Sequence, residues 1–123
     1  MKDWQELIDK YPELFYILGE KGERLQLLVY TMECGFGWYD LIETVCSRLW
    51  SEVGEKDPEF KIDQIKEKFG GLRIYTTKDT VVSEAIISFA EAHSFKVCES
   101  CGAPGGVKDK KAYWIKVRCP ECT

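Results

Sequence analysis

The sequence predicts an α+β fold: a mainly helical body, one central β-hairpin and a small cysteine-bearing ribbon at the C-terminus. Three observations predict it. Apolar residues recur at helical spacing over residues 38–53 and again over 80–93. Between those segments, residues 60–77 read as two strands around Gly70-Gly71, a pair suited to the positive φ of a two-residue hairpin turn. Finally, Cys98-Glu99-Ser100-Cys101 and Cys119-Pro120-Glu121-Cys122 form two C-x-x-C pairs with 17 residues between them.

In chain order, Trp4, Leu7, Ile8 and Tyr11 mark a short helix that Tyr11-Pro12 interrupts, because the residue before proline avoids the α region. A second helix is expected from Pro12 to Gly19, carrying Leu14, Phe15, Ile17 and Leu18, with a turn at Glu20-Lys21-Gly22-Glu23. Residues 24–33 fit neither period and read as helical first and extended toward Tyr30. Glu33-Cys34-Gly35-Phe36-Gly37-Trp38 is a compact turn into the longest stripe, formed by Trp38, Leu41, Ile42, Val45, Cys46, Leu49 and Val53. Asp40 suits the positive end of that helix, and Gly54 is its expected stop.

In the hairpin, a turn at Gly70-Gly71 pairs Phe69 with Leu72, Glu67 with Ile74 and Ile65 with Thr76 on a mostly apolar face. The other face pairs Lys68 with Arg73, Lys66 with Tyr75 and Gln64 with Thr77. Asp79-Thr80 offers the N-cap of the last helix, whose stripe reads Val82, Ala85, Ile86, Phe89, Ala90 and His93. No Ser/Gly/Pro linker separates this helix from Cys98, so the expected division is a body over 1–96 and a ribbon over 97–123 packed on it. Within the ribbon, residues 112–118 read as a strand delivering Cys119.

The four cysteines Cys98, Cys101, Cys119 and Cys122 match the C-x₂-C-x₁₅₋₂₀-C-x₂-C spacing of a zinc ribbon. Four thiolates fill a tetrahedral shell, which makes one Zn²⁺ a structural ion with no open position for water. The competing reading, two disulfides, requires an oxidising compartment. The N-terminus has acids where a signal peptide has an apolar stretch, and no run reaches the length of a membrane span. The expectation is a cytoplasmic protein with reduced thiols. The net charge of −4 is uneven: residues 1–95 hold 11 Lys+Arg and 18 Asp+Glu, residues 96–123 hold 6 and 3. An acidic body argues against nonspecific DNA binding by the whole surface.

No catalytic constellation is read. The lone histidine, His93, does not fit a zinc deaminase motif, and neither a phosphate loop nor a nucleophile elbow is present. Gly35-x-Gly37 before a helix is a weak anion signal and reads as a plain helix entry. Cys46 reads as a core residue, and Cys34 as a packed thiol in a glycine-rich turn. Glu67 is out of place on an apolar face and needs a partner, with Glu33 and Asp40 as the other acids weighed for acid chemistry. Lys66, Lys68, Arg73 and Tyr75 form the best candidate binding face, and Lys110, Lys111 and Trp114 in the ribbon form a second. Cations beside aromatics suit phosphate contact and base stacking.

The order Glu33-Cys34-Gly-x-Gly-Trp38, then Lys66-Glu67-Lys68-Phe69-Gly70-Gly71-Leu72-Arg73, then Cys98-x-x-Cys101-Gly-Ala-Pro, resembles a group of small uncharacterised bacteriophage and prophage proteins. The resemblance covers about residues 33–122 and implies no catalytic residues. It implies a phage-type protein acting on host machinery, with an anti-defence role in view. Together these readings lead to a non-enzymatic zinc-ribbon protein that binds a host protein complex and inhibits or redirects it. The alternative is a nucleic-acid-binding accessory factor.

Overall fold

A computed structural model describes residues 3–104, 107–109 and 116–122. The class is α+β, as the sequence predicts. The elements are α1 (Trp4–Lys10), α2 (Pro12–Phe15), β1 (Tyr16–Leu18), β2 (Arg24–Leu27), α3 (Tyr39–Leu49), β3 (Ile62–Lys68), β4 (Gly71–Thr76), α4 (Val81–Ser94), β5 (Val107–Asp109) and β6 (Lys116–Arg118). The strands form three antiparallel pairs, β1–β2, β3–β4 and β5–β6. One hairpin was expected in the body, and two are present.

The additional hairpin corrects two expectations. The helix begun at Pro12 ends at Phe15, and Tyr16–Leu18 is extended. Residues 24–27 are a strand rather than a helix. Tyr16 pairs with Leu27 and Leu18 with Arg24 across the turn at Gly19–Glu23. Arg24 lies over the Tyr16 ring at 4.8 Å and reaches Asp9 of α1 at 2.7 Å. These cross-strand contacts select the extended form over a helical pattern that local spacing allows equally well.

α3 buries Ile42, Val45, Cys46 and Leu49, and its chain continues through a wider π-helical turn at Trp50–Gly54. Burial pushes the Cys46 thiol well up, so it stays protonated as a small apolar group. Trp38, in the short 3₁₀ turn before α3, is fully buried. Leu7, Leu14, Phe15, Phe60, Ile62, Ile65 and Leu72 complete one contiguous core.

The central hairpin keeps its predicted faces but not its register. Glu67 pairs with Leu72, Lys66 with Arg73, Ile65 with Ile74 and Gln64 with Tyr75. The two turn residues are therefore Phe69 and Gly70, with φ of 54° and 85°. The pairing is displaced by two positions, and because side chains alternate with period two, each residue keeps its side of the sheet. Phe69, expected on the apolar face, sits instead at the turn and is 68% exposed. Gly71 does not need positive φ; it is required because a Cβ there would run into the Phe95 ring. Glu67 finds its partner in the turn, where its carboxylate accepts the Gly70 amide at 2.8 Å.

α4 begins where expected. Thr80 and Ser83 form a reciprocal capping box, each side chain accepting from the other's backbone amide at 2.9 Å. Its facing differs from the predicted stripe. The buried residues are Ser83, Ala90 and Ser94, while Ala85, Phe89 and His93 face solvent and Val82 is 45% exposed. Small residues take the most buried positions where α4 packs on α3 and β4, with Ile86 and Ile87 packed against the core beside them. There the Ser94 hydroxyl accepts the Leu72 amide at 3.0 Å, and the Glu91 carboxylate accepts the Ile74 amide at 3.2 Å.

Candidate functional site

The chain leaving α4 turns at once into the first cysteine pair. The Cys98 amide donates to Ala103 O at 2.9 Å and the Gly102 amide to Cys98 O at 2.8 Å, which closes a knuckle around Cys98–Cys101. The second pair follows β6, where the Glu99 amide donates to Val117 O at 2.9 Å and binds the two knuckles to each other. β6 pairs with β5 through Val107–Arg118 and Asp109–Lys116.

The sulfur atoms of Cys98, Cys101, Cys119 and Cys122 all lie within 4.8 Å of one another. A tetrahedral ion with metal–sulfur bonds of about 2.3 Å separates its sulfurs by about 3.8 Å. The Cys101 and Cys119 sulfurs are 3.5 Å apart, too far for a bond between them, and all six cysteines are free thiols. The donor set fits one metal ion. Electrostatics prepare it: burial pushes the Cys98 thiol up, but backbone amides of Cys119, Cys101 and Ser100 outweigh burial and bring it down to about 6. Cys122 is pushed up to about 12, first by its hydrogen bond with Cys119 and then by Cys101 and Cys98. A thiolate at Cys98 beside the raised thiols of Cys119 and Cys122 is an arrangement from which a cation displaces protons on binding.

The cysteine knuckle is held on the body by the turn before α3. Gly37 donates its amide to Glu99 O at 2.7 Å, and Gly35 donates to the Glu99 carboxylate at 2.9 Å. The Trp38 indole donates to Val97 O at 3.0 Å. A Cβ at Gly37 would overlap the Cys98 and Glu99 carbonyls. Of the Gly-x-Gly pair, Gly35 thus holds a carboxylate, the chain's own Glu99, while Gly37 holds the backbone carbonyl of the same residue. Sequence reading passed over Glu99, and the one available signal was an acid inside a C-x-x-C turn.

The predicted hairpin face is brought together. Lys66 and Arg73 are direct cross-strand partners, Lys68 and Tyr75 share their side, and Lys68 lies 5.7 Å from the Phe69 ring. Glu33 tempers that face: its backbone bridges to β3 beside Lys66, and its carboxylate accepts from Gln64 at 3.3 Å. Lys110, Lys111 and Trp114 lie outside the described residues. Asp40 lines a shallow groove with Phe89, His93 and Cys101, apart from Glu67, whose carboxylate serves the hairpin turn. His93 stacks on Phe89 at 6.3 Å and is not part of the cysteine cluster.

A separate cleft of about 600 Å³ opens between β1, the π-helical turn and the start of β3. Ile17, Leu18, Leu28, Trp50 and Pro58 make its walls apolar, and Glu13, Glu55 and Glu59 stand around them. Lys61 enters the same cleft, donating its ammonium to Glu13 O at 2.6 Å. Burial lowers its pKa, against a smaller rise from the Glu13 charge. No helix among the described residues is long and apolar enough to cross a membrane. Comparison with protein-family models, curated proteins and solved structures finds no match to this chain.

Proposed function

We propose that the chain is a non-enzymatic binding protein, its C-terminal knuckle fixed by one structural zinc ion, that docks on a protein partner through the cleft beside Trp50. Zinc is the metal that suits a four-thiolate set on two C-x-x-C turns. The observation that carries the binding reading is the cleft itself. An apolar cavity of this size takes an anchoring side chain, and three carboxylates around it favour a basic flank on the partner. Lys61 offsets only one of the three carboxylates, so the rim stays net acidic. The phage-like hairpin motif supplies a setting: a host protein complex that this protein inhibits or redirects in the host cytoplasm, with host defence among the targets. Ile17 is 42% exposed at the cleft wall, so Ile17→Glu should leave the fold intact. Affinity capture from host lysate should recover a partner with the parent and lose that same partner with Ile17→Glu. Equal recovery by both would remove the cleft from the reading.

The paired Lys66 and Arg73 beside Lys68 and Tyr75 favour a second reading, an accessory factor that binds nucleic acid. Lys66→Glu with Arg73→Glu should then abolish a mobility shift on single-stranded oligonucleotides that also weakens steeply with salt. An absent shift at low salt for the parent would end this reading.

A further inference from the structure

The outer face of α4 is apolar and uncovered. Val81 is 86% exposed and Phe89 75% exposed, and Ala85 and Ala92 are also exposed. Val82, Ala85, Phe89 and Ala92 follow steps of three, four and three, the a/d spacing of a helix–helix seam. The inward residues Ser83, Ala90 and Ser94 occupy the opposite side, so this seam is not needed by the core. We infer that this face pairs with the same face of a second copy of the chain, antiparallel, as a two-fold dimer.

Two features select a second copy as the occupant. The first is shape. One large ring, Phe89, sits between Ala85 and Ala92, so each helix carries both a knob and the small residues that receive one. A two-fold axis between Ser88 and Phe89 sets Ala85 against the partner's Ala92 and lays the two Phe89 rings side by side. The second is charge. The exposed acids Asp79 and Glu84 are at the start of α4, and the exposed His93 and Lys96 are at its end. Reversed, the two ends complement each other, with Asp79 brought toward the partner's Lys96; in parallel, like charges would meet. An isologous contact requires such self-complementarity. A helix of this length spans about 21 Å, so the contact is small and association belongs in the micromolar range or weaker. None of the cleft residues around Trp50 lies on α4, so this pairing stands apart from the proposed function.

Sedimentation velocity of the zinc-loaded full chain, from low to high micromolar concentration, tests the pairing. A monomer–dimer equilibrium is expected, with Phe89→Glu and Val81→Glu each monomeric throughout at unchanged helical signal. Asp79→Lys should weaken the dimer several-fold, and Asp79→Lys with Lys96→Asp should recover it. A parent that stays monomeric at every concentration overturns the inference. So does a dimer that survives Phe89→Glu, or a charge swap without recovery.

Discussion

Gly37 donates its amide to the Glu99 carbonyl at 2.7 Å, in an approach that leaves no room for a side chain at position 37. This is where the cysteine knuckle meets the helical body. Even a methyl group must push the Cys98–Glu99 backbone away, and overpacking of this kind costs roughly 1–3 kcal/mol. Gly37→Ala should lower the urea midpoint accordingly and make the cysteines react faster with a thiol reagent in the presence of a chelator. An unchanged midpoint and reaction rate would show that knuckle and body are not joined there.

The hairpin turn gives a prediction of the opposite sign. Phe69 holds φ of 54°, which costs a residue with a Cβ about 1–2 kcal/mol. Asparagine tolerates this conformation, and Asn-Gly is a favoured two-residue turn. Phe69→Asn should therefore stabilise the protein by about 0.5–1 kcal/mol, the Lys68 contact with the ring being a small loss. Thermal unfolding checks it, and a lowered midpoint would mean that Phe69 is held by contacts beyond the turn.

The neighbouring glycines fail for different reasons, and this too can be measured. Gly70→Ala strains the backbone at φ of 85°, whereas Gly71→Ala meets the Phe95 ring. Shortening that ring with Phe95→Leu should recover part of the loss from Gly71→Ala and none of that from Gly70→Ala. Equal recovery of both would contradict the Phe69-Gly70 turn.

The two glycines also show where sequence reading stops. Gly-Gly marked the hairpin correctly but drew the turn one residue too far along, because the requirement at Gly71 comes from Phe95, distant in the chain. α4 was legible as a helix from its cap and spacing. Its facing was only partly legible: Ala90 and Ile86 turn inward as the spacing suggests, but the most buried positions include the polar Ser83 and Ser94, while Val82 and Phe89 point outward. β1–β2 was missed since Tyr16 and Leu27 stabilise each other across a turn, while each segment alone is ambiguous. The cluster of four cysteines was readable because ligand chemistry imposes a fixed local spacing. Their attachment to the body through Glu99 was not, because backbone amides of Gly35 and Gly37 leave no side-chain signature.

Proton competition at the cysteine cluster gives a pH dependence. Metal binds thiolates, so binding releases protons and apparent affinity rises with pH. Cys98, brought down to about 6, is already ionised at neutral pH, while Cys122, pushed up to about 12, must lose its proton to the metal. Below about pH 6 Cys98 competes as well, and affinity should fall more steeply there than between pH 7 and 8. Chelator competition across that range measures the slope, and a flat profile would contradict ligation by four cysteines.

The central claim is a closed, structural four-thiolate centre that holds the knuckle while the body keeps its own core. Cobalt substitution monitored by absorption, together with metal content and circular dichroism before and after chelation, tests it most directly. The account predicts one zinc per chain and a tetrahedral tetrathiolate cobalt spectrum. It also predicts that chelation exposes the four cysteines while most helical signal from α3 and α4 remains. A cobalt spectrum showing bound water, a protein purified under reducing conditions without metal, or loss of the whole helical signal on chelation would contradict it.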